Sequence, residues 1–367
     1  MLVDDSAVIR GLISRALEKD PDVHIAASVH NGQAAVDAIE RIAPDVVLLD
    51  IEMPVMDGLS ALPLLLQKKP GVKVLMCSTL SKQGATVTMR ALELGATDYI
   101  TKPTARELSS AEDFQTELVR LVRALGGKPA FRSVALPPGG ASAGAPAPAG
   151  RNTTGTTSQL FRGADVKLRN DSMAYKGKPD ILAIGSSTGG PQALFEVIKS
   201  FQAFDIPIVI TQHMPKTFTH ILAQHIQQHC GITCHEGAQG MALEKGNAYV
   251  APGGFHMLFR KDGLKVTIDL NDGPQENFCK PAVDPMMRSL IEIYGSKILA
   301  VILTGMGYDG QKGCAALVER GGRVVAQDEE TSVVWGMPGA VATTGLCSAV
   351  LPLKDIGPWV RRSVMGV

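Results

Sequence analysis

The 367-residue chain has no surplus of either charge, because 36 Lys and Arg balance 36 Asp and Glu. No global positive field gathers phosphate backbones or an anionic membrane surface, which argues against a nucleic-acid reader. Every apolar run is far shorter than the roughly 20 residues that span a bilayer, and the opening MLVDDSAVIR lacks a signal-peptide core. A soluble, cytoplasmic protein without direct membrane insertion is expected. Cysteine is sparse, and Cys77, Cys230, Cys234, Cys279, Cys314 and Cys347 are scattered through a chain long enough to bury a core without staples. Reduced thiols are expected. His225, His229, Cys230, Cys234 and His235 lie close together in sequence, yet no second pair has finger-like spacing. The group reads as a polar helix end followed by a strand. No internal repeat is visible.

The length favours two domains, and composition shows where they divide. From Gly126 to Gly150, 18 of 25 residues are Gly, Ala or Pro, and a polar stretch follows to about Lys178. Such a segment buries too little apolar surface to offset its ordering entropy. The expected organisation is a domain over residues 1–126, a linker over 127–178, partly docked, and a second domain over 179–367.

Before the linker, apolar runs at Val23–Ser28, Val46–Leu49, Val72–Cys77 and Thr97–Ile100 alternate with helical patterns around Val8–Glu18, Gln33–Ile42, Leu59–Gln67 and Thr86–Leu94. With a short first strand at Met1–Val3, this predicts a doubly wound, five-stranded parallel sheet. So short a first strand is expected to loosen the domain and displace the acidic pair that follows it. After the linker, strands near Ile181–Ile184, Ile206–Thr211, Ile298–Leu303 and Arg323–Ala326 repeat the alternation, while Asn247–Asp269 reads as antiparallel strands with glycine turns. The fold class is α/β in both halves: the second is a doubly wound, mainly parallel α/β domain with an antiparallel hairpin.

Ligands of such sheets bind beyond the carboxyl ends of the strands. In the first domain, Asp4 and Asp5 follow the first strand, Asp50 closes DVVLLD, and Lys102 follows DYIT. Three gathered carboxylates call for a hard cation such as Mg2+, which prefers few carboxylates with water and phosphate oxygens. A phosphoryl-acceptor site follows, with Asp50 as nucleophile, Ser78 bonding the new phosphoryl oxygen and Lys102 as countercharge. A lone aspartate at a strand end is more often a cap or turn residue; the combination is what points to chemistry. Together DDSAVIR, LLDIEMPVMDG, MCST and TKP resemble the receiver domain of bacterial response regulators. The resemblance implies phosphorylation of Asp50 by a histidine kinase, a Mg2+ site drawing on Asp4, Asp5, Asp50 and Glu52, switch roles for Ser78 and Tyr99, and a cis Lys102–Pro103 peptide.

In the second domain, ILAI runs into GSSTGGP and a helical pattern. A glycine-rich turn there can cradle phosphate, but neither GxxxxGK[ST] nor GxGxxG is present. The same turn can instead present a serine above the sheet edge, with helix-start amides stabilising an oxyanion. The next strand ends at His213, and ILAVILTGMGYDG ends in a loop carrying Asp309, so all three groups share one edge. His220, His225 and His229 fall on an amphipathic helix, and His256 is a weaker candidate base. A capping histidine remains a competent alternative for His213 taken alone.

IGSSTGGPQAL, TQHMP, YVAPGGFHM, DGPQENFCKPAVD, ILTGMGYDG and VVWGMPGA resemble successive blocks of the CheB family, the chemotaxis protein-glutamate methylesterases. The resemblance implies Ser187 as nucleophile, His213 as general base and Asp309 as its orienting acid, with Thr188 and the Met306 amide assisting at the oxyanion and no esterase cofactor. Ser186 is then a neighbouring decoy. The substrates implied are glutamate methyl esters, and glutamines as a second class, on chemoreceptors, with a chemotaxis histidine kinase as phosphodonor. An unphosphorylated receiver that covers the Ser187 edge is implied too. A docking module or a DNA-binding regulator are the other classes; the first requires the Ser187, His213 and Asp309 placement to be accidental, and the second lacks a basic recognition helix after Lys178.

Overall fold

The computed structural model describes residues 1–102, 111–127, 161, 163–170 and 174–366. The first sheet contains β1 (Leu2–Val3), β2 (Ser28–Val29), β3 (Val46–Asp50), β4 (Lys73–Ser78) and β5 (Asp98–Thr101), all parallel, in the order β2-β1-β3-β4-β5. Helices α1 (Ala7–Leu17), α2 (Gly32–Ile42), α3 (Gly58–Lys68), α4 (Lys82–Glu93) and α5 (Ala111–Gly126) alternate with them. The side-chain oxygens of Ser6, Asn31, Asp57 and Ser81 accept amide bonds at the starts of α1 to α4, satisfying donors a helix cannot pair internally. Every residue of β3 is buried, as expected of a central parallel strand covered on both faces.

The run Val23–Ser28 contributes much less strand than its sequence suggests. Only Ser28 and Val29 pair, because the two residues of β1 offer just two partners, Leu2 and Val3. The acidic pair is nevertheless not displaced. β1 is held on its other side by Leu48 and Leu49, the Met1 amine donates to the Val46 carbonyl at 2.8 Å, and Asp4 reaches Lys102 at 2.7 Å.

The second sheet contains β6 (Ile181–Ser186), β7 (Ile208–Gln212), β8 (Cys234–Glu236), β9 (Ala248–Val250), β12 (Ile298–Ile302), β13 (Arg323–Gln327) and β14 (Ala349–Leu351). Their order is β14-β13-β12-β6-β7-β9-β8, with every neighbour parallel. The antiparallel hairpin is a separate pair, β10 (His256–Asp262) with β11 (Lys265–Asn271). Residues 248–250 therefore leave the expected antiparallel unit and form β9 between β7 and β8. The helices are α6 (Gly190–Ile198), α7 (Lys216–Cys230), α8 (Val283–Tyr294), α9 (Gln311–Glu319), α10 (Met337–Ala342) and α11 (Leu353–Met365). The chain reverses direction across the sheet at β6 and β12, which makes their carboxyl ends the switch point where such folds bind ligands.

Within the expected linker, residues 163–170 lie against the second domain: the Lys167 and Arg169 amides donate to the Ala342 and Cys347 carbonyls at 3.0 and 2.9 Å. The Gly, Ala and Pro-rich stretch and the Lys102–Pro103 peptide lie outside the described residues. Helix α4 packs along α7, and the ring of Tyr99 stacks on that of Phe218 with centroids 4.5 Å apart. Among the described residues no helix is long and apolar enough to cross a membrane.

Candidate active site

β6 delivers two adjacent serines, and burial separates them. Ser186 is fully buried and donates its hydroxyl to Gln212 Oε1 at 2.7 Å. Ser187 has left the strand and is partly exposed; its amide donates to the Thr304 carbonyl at 3.0 Å, and its own carbonyl accepts from Gly190 at 2.7 Å and from the Gln212 side chain at 2.9 Å. The turn into α6 runs through Gly189 at φ 73°, where a side chain would be strained and an added Cβ would sit 2.6 Å from Val333 Cγ2. Helix α6 has no side-chain cap of its own.

His213 follows β7, anchored by its amide to the Ser186 carbonyl at 3.1 Å. Its Nε2 meets Asp309 Oδ2 at 2.7 Å, and its Nδ1 faces Cys279 Sγ at 3.3 Å. Asp309 is only 2% exposed. Oδ2 also accepts from the Val283 amide at 2.6 Å, while Oδ1 accepts from the Asn277 side chain at 2.8 Å and the Asp284 and Gly310 amides at 3.2 and 3.0 Å. Burial works against the charge, but the His213 bond and charge and these donors outweigh it, holding the carboxyl below its usual range. An ionised Asp309 fixes the proton on Nε2 and leaves Nδ1 as the basic nitrogen. Burial favours a neutral imidazole at His213, but the Cys279 sulfur and then Asp309 outweigh it and raise the pKa above 6.5.

Ser187, Thr188, His213, Met306 and Asp309 line one cavity of about 550 Å³, together with Asn277 and Cys279. Its opposite wall comes from the first domain, including Asp98, Tyr99, Glu117 and Leu121. Met306 is buried in a cluster with Phe114, Leu118 and Leu121 of α5. Across the domain boundary Asp98 faces the Thr188 side chain and the Gly189 amide at the start of α6, and both favour its ionised form. Burial pushes its carboxyl up to about 7 against that pull. Gln192 reaches the other way, its Nε2 donating to the Leu92 carbonyl at 2.9 Å and also to the Ala96 carbonyl.

At the first sheet's edge, Lys102 Nζ lies 2.7 Å from Asp4 Oδ2 and 2.6 Å from Asp50 Oδ1. Carboxylate oxygens of Asp4, Asp5 and Asp50 all fall within 4.8 Å of one another. Glu52 is exposed and its side chain lies outside that group. Burial raises the Asp50 pKa, helped by Asp4 and opposed by Lys102. All-oxygen donors with more negative charge than one lysine balances are the set a hard divalent cation fits. Ser78 is buried and turned toward α4, accepting from Thr88 Oγ1 at 2.6 Å and lying 3.3 Å from the Gly84 carbonyl.

The expected Ser187, His213 and Asp309 line one cavity and Asp4, Asp5, Asp50 and Lys102 share one edge, whereas Glu52 stands apart; Asn277, Cys279 and Asp98 were not foreseen. The first two sit in a loop whose Asn277 and Phe278 adopt positive φ of 52° and 64°. Asn277 and Phe278 carry no pattern that announces this; the DGPQENFCKPAVD block was the only signal. Asp98 reads as an ordinary strand start until its partner domain is in place.

A receiver sheet sharing one chain with an α/β hydrolytic domain defines a response regulator whose output is an enzyme. Residues 1–111 match the response regulator receiver domain, and residues 182–360 match the family described as CheB methylesterase. A Rhodospirillum centenum protein named protein-glutamate methylesterase/protein-glutamine glutaminase of group 2 operon is 54% identical over 368 residues, covering 99% of this chain and 93% of the relative. A Paramagnetospirillum magneticum protein-glutamate methylesterase/protein-glutamine glutaminase 1 is 53% identical, covering 99% of this chain and 95% of its own length. The crystal structure of the Thermotoga maritima CheB methylesterase catalytic domain shares 41% identity over 51% of this chain and 99% of that one, with a TM-score of 0.49. The chain belongs to the CheB methylesterase family.

Proposed function

We propose that the protein hydrolyses glutamate methyl esters, and deamidates glutamines, on chemoreceptors, and that phosphorylation of Asp50 switches this activity on. The observation that carries the reading is the His213–Asp309 pair at 2.7 Å in the same cavity as a partly exposed Ser187. Ser187 attacks the ester carbonyl while His213 takes its proton through Nδ1, the nitrogen that Asp309 leaves free of hydrogen. Cys279 now faces that nitrogen, and the serine hydroxyl replaces it when substrate binds. The oxyanion is met by the Met306 amide and Thr188. The imidazolium returns its proton to the departing methoxide oxygen, giving methanol, or to the amide nitrogen, giving ammonia. Water activated by His213 then splits the acyl-serine to glutamate and free Ser187.

The receiver wall blocks a bulky helical substrate from the cavity, and Asp98 faces donors of the nucleophile loop. Asp4, Asp5 and Asp50 would hold Mg2+, which supplies charge neutralisation for phosphoryl transfer from a histidine kinase. Ser78 and Lys102 then draw toward the new phosphoryl oxygens. Leaving Thr88 and Gly84 shifts α4, and Tyr99 withdraws from Phe218, loosening the wall. Residues 1–126 form the receiver, 127–178 tether it at high effective concentration, and 179–367 form the catalytic domain in the cytoplasm.

The test is methanol release from methylated chemoreceptor membranes, with and without a small phosphodonor plus Mg2+. Release should vanish in Ser187→Ala, and stimulation should vanish in Asp50→Ala while the basal rate persists. Release that survives Ser187→Ala would overturn the mechanism; docking without any release would favour a binding module.

A further inference from the structure

The last residue of α4 and one face of α7 bring three metal-binding side chains together across the domain boundary. His225 Nδ1 lies 2.5 Å and His229 Nε2 3.0 Å from the same oxygen of Glu93. The two histidines are four residues apart on α7 and therefore share a face. Their rings are 5.7 Å apart, and the three ligand atoms fall within 4.8 Å of one another.

We infer that Glu93, His225 and His229 form a binding site for a zinc-class divalent metal that clips the receiver to the catalytic domain. Two imidazoles and a carboxylate are a ligand set that suits Zn2+ and poorly suits Mg2+. Bonds of about 2.0–2.1 Å in a tetrahedral site separate ligand atoms by about 3.3 Å, so the two Glu93 contacts open by less than about 1 Å while the two ring nitrogens, within 4.8 Å, settle to the same separation. The His229 side chain is 49% exposed, which gives the ion an entry path and leaves water for the fourth position. Cys230 and Cys234, near neighbours in sequence, take no part: both are buried, and Cys230 points to the Phe195 carbonyl at 3.7 Å. The acceptor edge is all oxygen, so the two sites prefer different cations.

Glu93 comes from one domain and both histidines from the other, so the complete ligand set exists only while the domains are closed. An ion bound there shifts the opening equilibrium by a factor of one plus its concentration over its dissociation constant. By linkage, opening weakens the ion's hold in turn, its apparent dissociation constant rising as the inverse of the closed fraction. The binding itself needs only the closed arrangement; its effect on esterase activity rests on the proposed covering role of the receiver.

The full-length protein, in excess Mg2+ to fill the oxygen site, is titrated with Zn2+ against a chromophoric chelator. One site per chain is expected, weakened about tenfold or more in Glu93→Gln and in His229→Ala, as loss of a direct ligand should exceed a loss of outer support. Zn2+ should lower basal methanol release of the wild type and leave Glu93→Gln unaffected. An affinity unchanged in both variants, or no stoichiometric binding, overturns the site. A wild type that responds to phosphodonor but not to Zn2+ overturns the clip. Failure of phosphodonor stimulation in wild type freed of Zn2+ but supplied with Mg2+ counts instead against the covering role, and leaves the chelator result to decide the site.

Discussion

Gln192 offers the cleanest measure of what the interface between the domains is worth. It lies on α6, outside the Ser187, His213 and Asp309 constellation, and donates to the Leu92 and Ala96 carbonyls at the end of α4. Truncation in Gln192→Ala removes both bonds from the closed state and touches nothing in the open one, where water serves the same carbonyls. A hydrogen bond contributes about 0.5–1.5 kcal/mol net, so closure should weaken by about 1–3 kcal/mol. Every 1.4 kcal/mol is about tenfold in the equilibrium, so the open fraction should rise about fivefold to a hundredfold, up to complete opening. The assay is methanol release without phosphodonor, compared with the same variant fully stimulated. The basal rate should approach the stimulated rate, and the stimulated rate should match that of the wild type. A basal rate unchanged in a variant that still responds to phosphodonor would refute the reasoning, because it would show that these contacts do not hold the inhibited state.

Three further outcomes follow from the site. Asp309→Asn places an amide where three backbone N–H groups and the His213 Nε2 proton already point, and it reverses the tautomer; kcat should fall about ten-thousandfold, measured at saturating substrate, and a loss under about tenfold would deny Asp309 its orienting role. The neutral base is the working form of His213, so activity should be lost as pH falls through its pKa, which is raised above 6.5 by Cys279 and Asp309 against the effect of burial. The acid limb of kcat/KM should therefore lie above 6.5 and move down in Cys279→Ala; a limb below 6.5 in the wild type contradicts the assigned contacts. Ser186→Ala leaves Gln212 Oε1 without its buried donor and should lower unfolding stability by about 1–3 kcal/mol while preserving methanol release, separable by denaturant titration alongside the ester assay.

The parts of this molecule legible in the sequence are those decided by local chemistry. The fully buried β3, β6, β7 and β12 announce themselves as runs dominated by Val, Ile and Leu; Asp50 ends β3, Ser187 and His213 follow β6 and β7 directly, and Asp309 lies in the loop after β12. Periodicity cannot name a strand's partner, which is why residues 248–250 read as part of a hairpin although they lie parallel between β7 and β8. The three residues of β14 are too few to show a pattern at all. Val23–Ala27 has the composition of a strand and lacks one because, in a parallel register with Leu2 opposite Ser28, β1 starts too late to pair with it. At the site, Ser187 and Ser186 are identical in type and adjacent; only the depth of the strand end separates them. Asp98, Gln192 and Glu93 owe their roles to partners about a hundred residues away, and no local signal marks them.

The missing cap of α6 has a kinetic consequence. A substrate that draws on the Gly189 amide and the Thr188 hydroxyl would have to displace the Asp98 carboxyl that faces them. On the proposed covering role, restraint by the receiver would be intramolecular competition: it would raise the apparent KM of the resting enzyme and leave the turnover of each occupied site intact. A densely packed receptor array would overcome part of that restraint by mass action alone. Substrate crowding and phosphorylation would thus act on the same equilibrium, and the sharpness of the response would depend on how closely the receptors are arrayed.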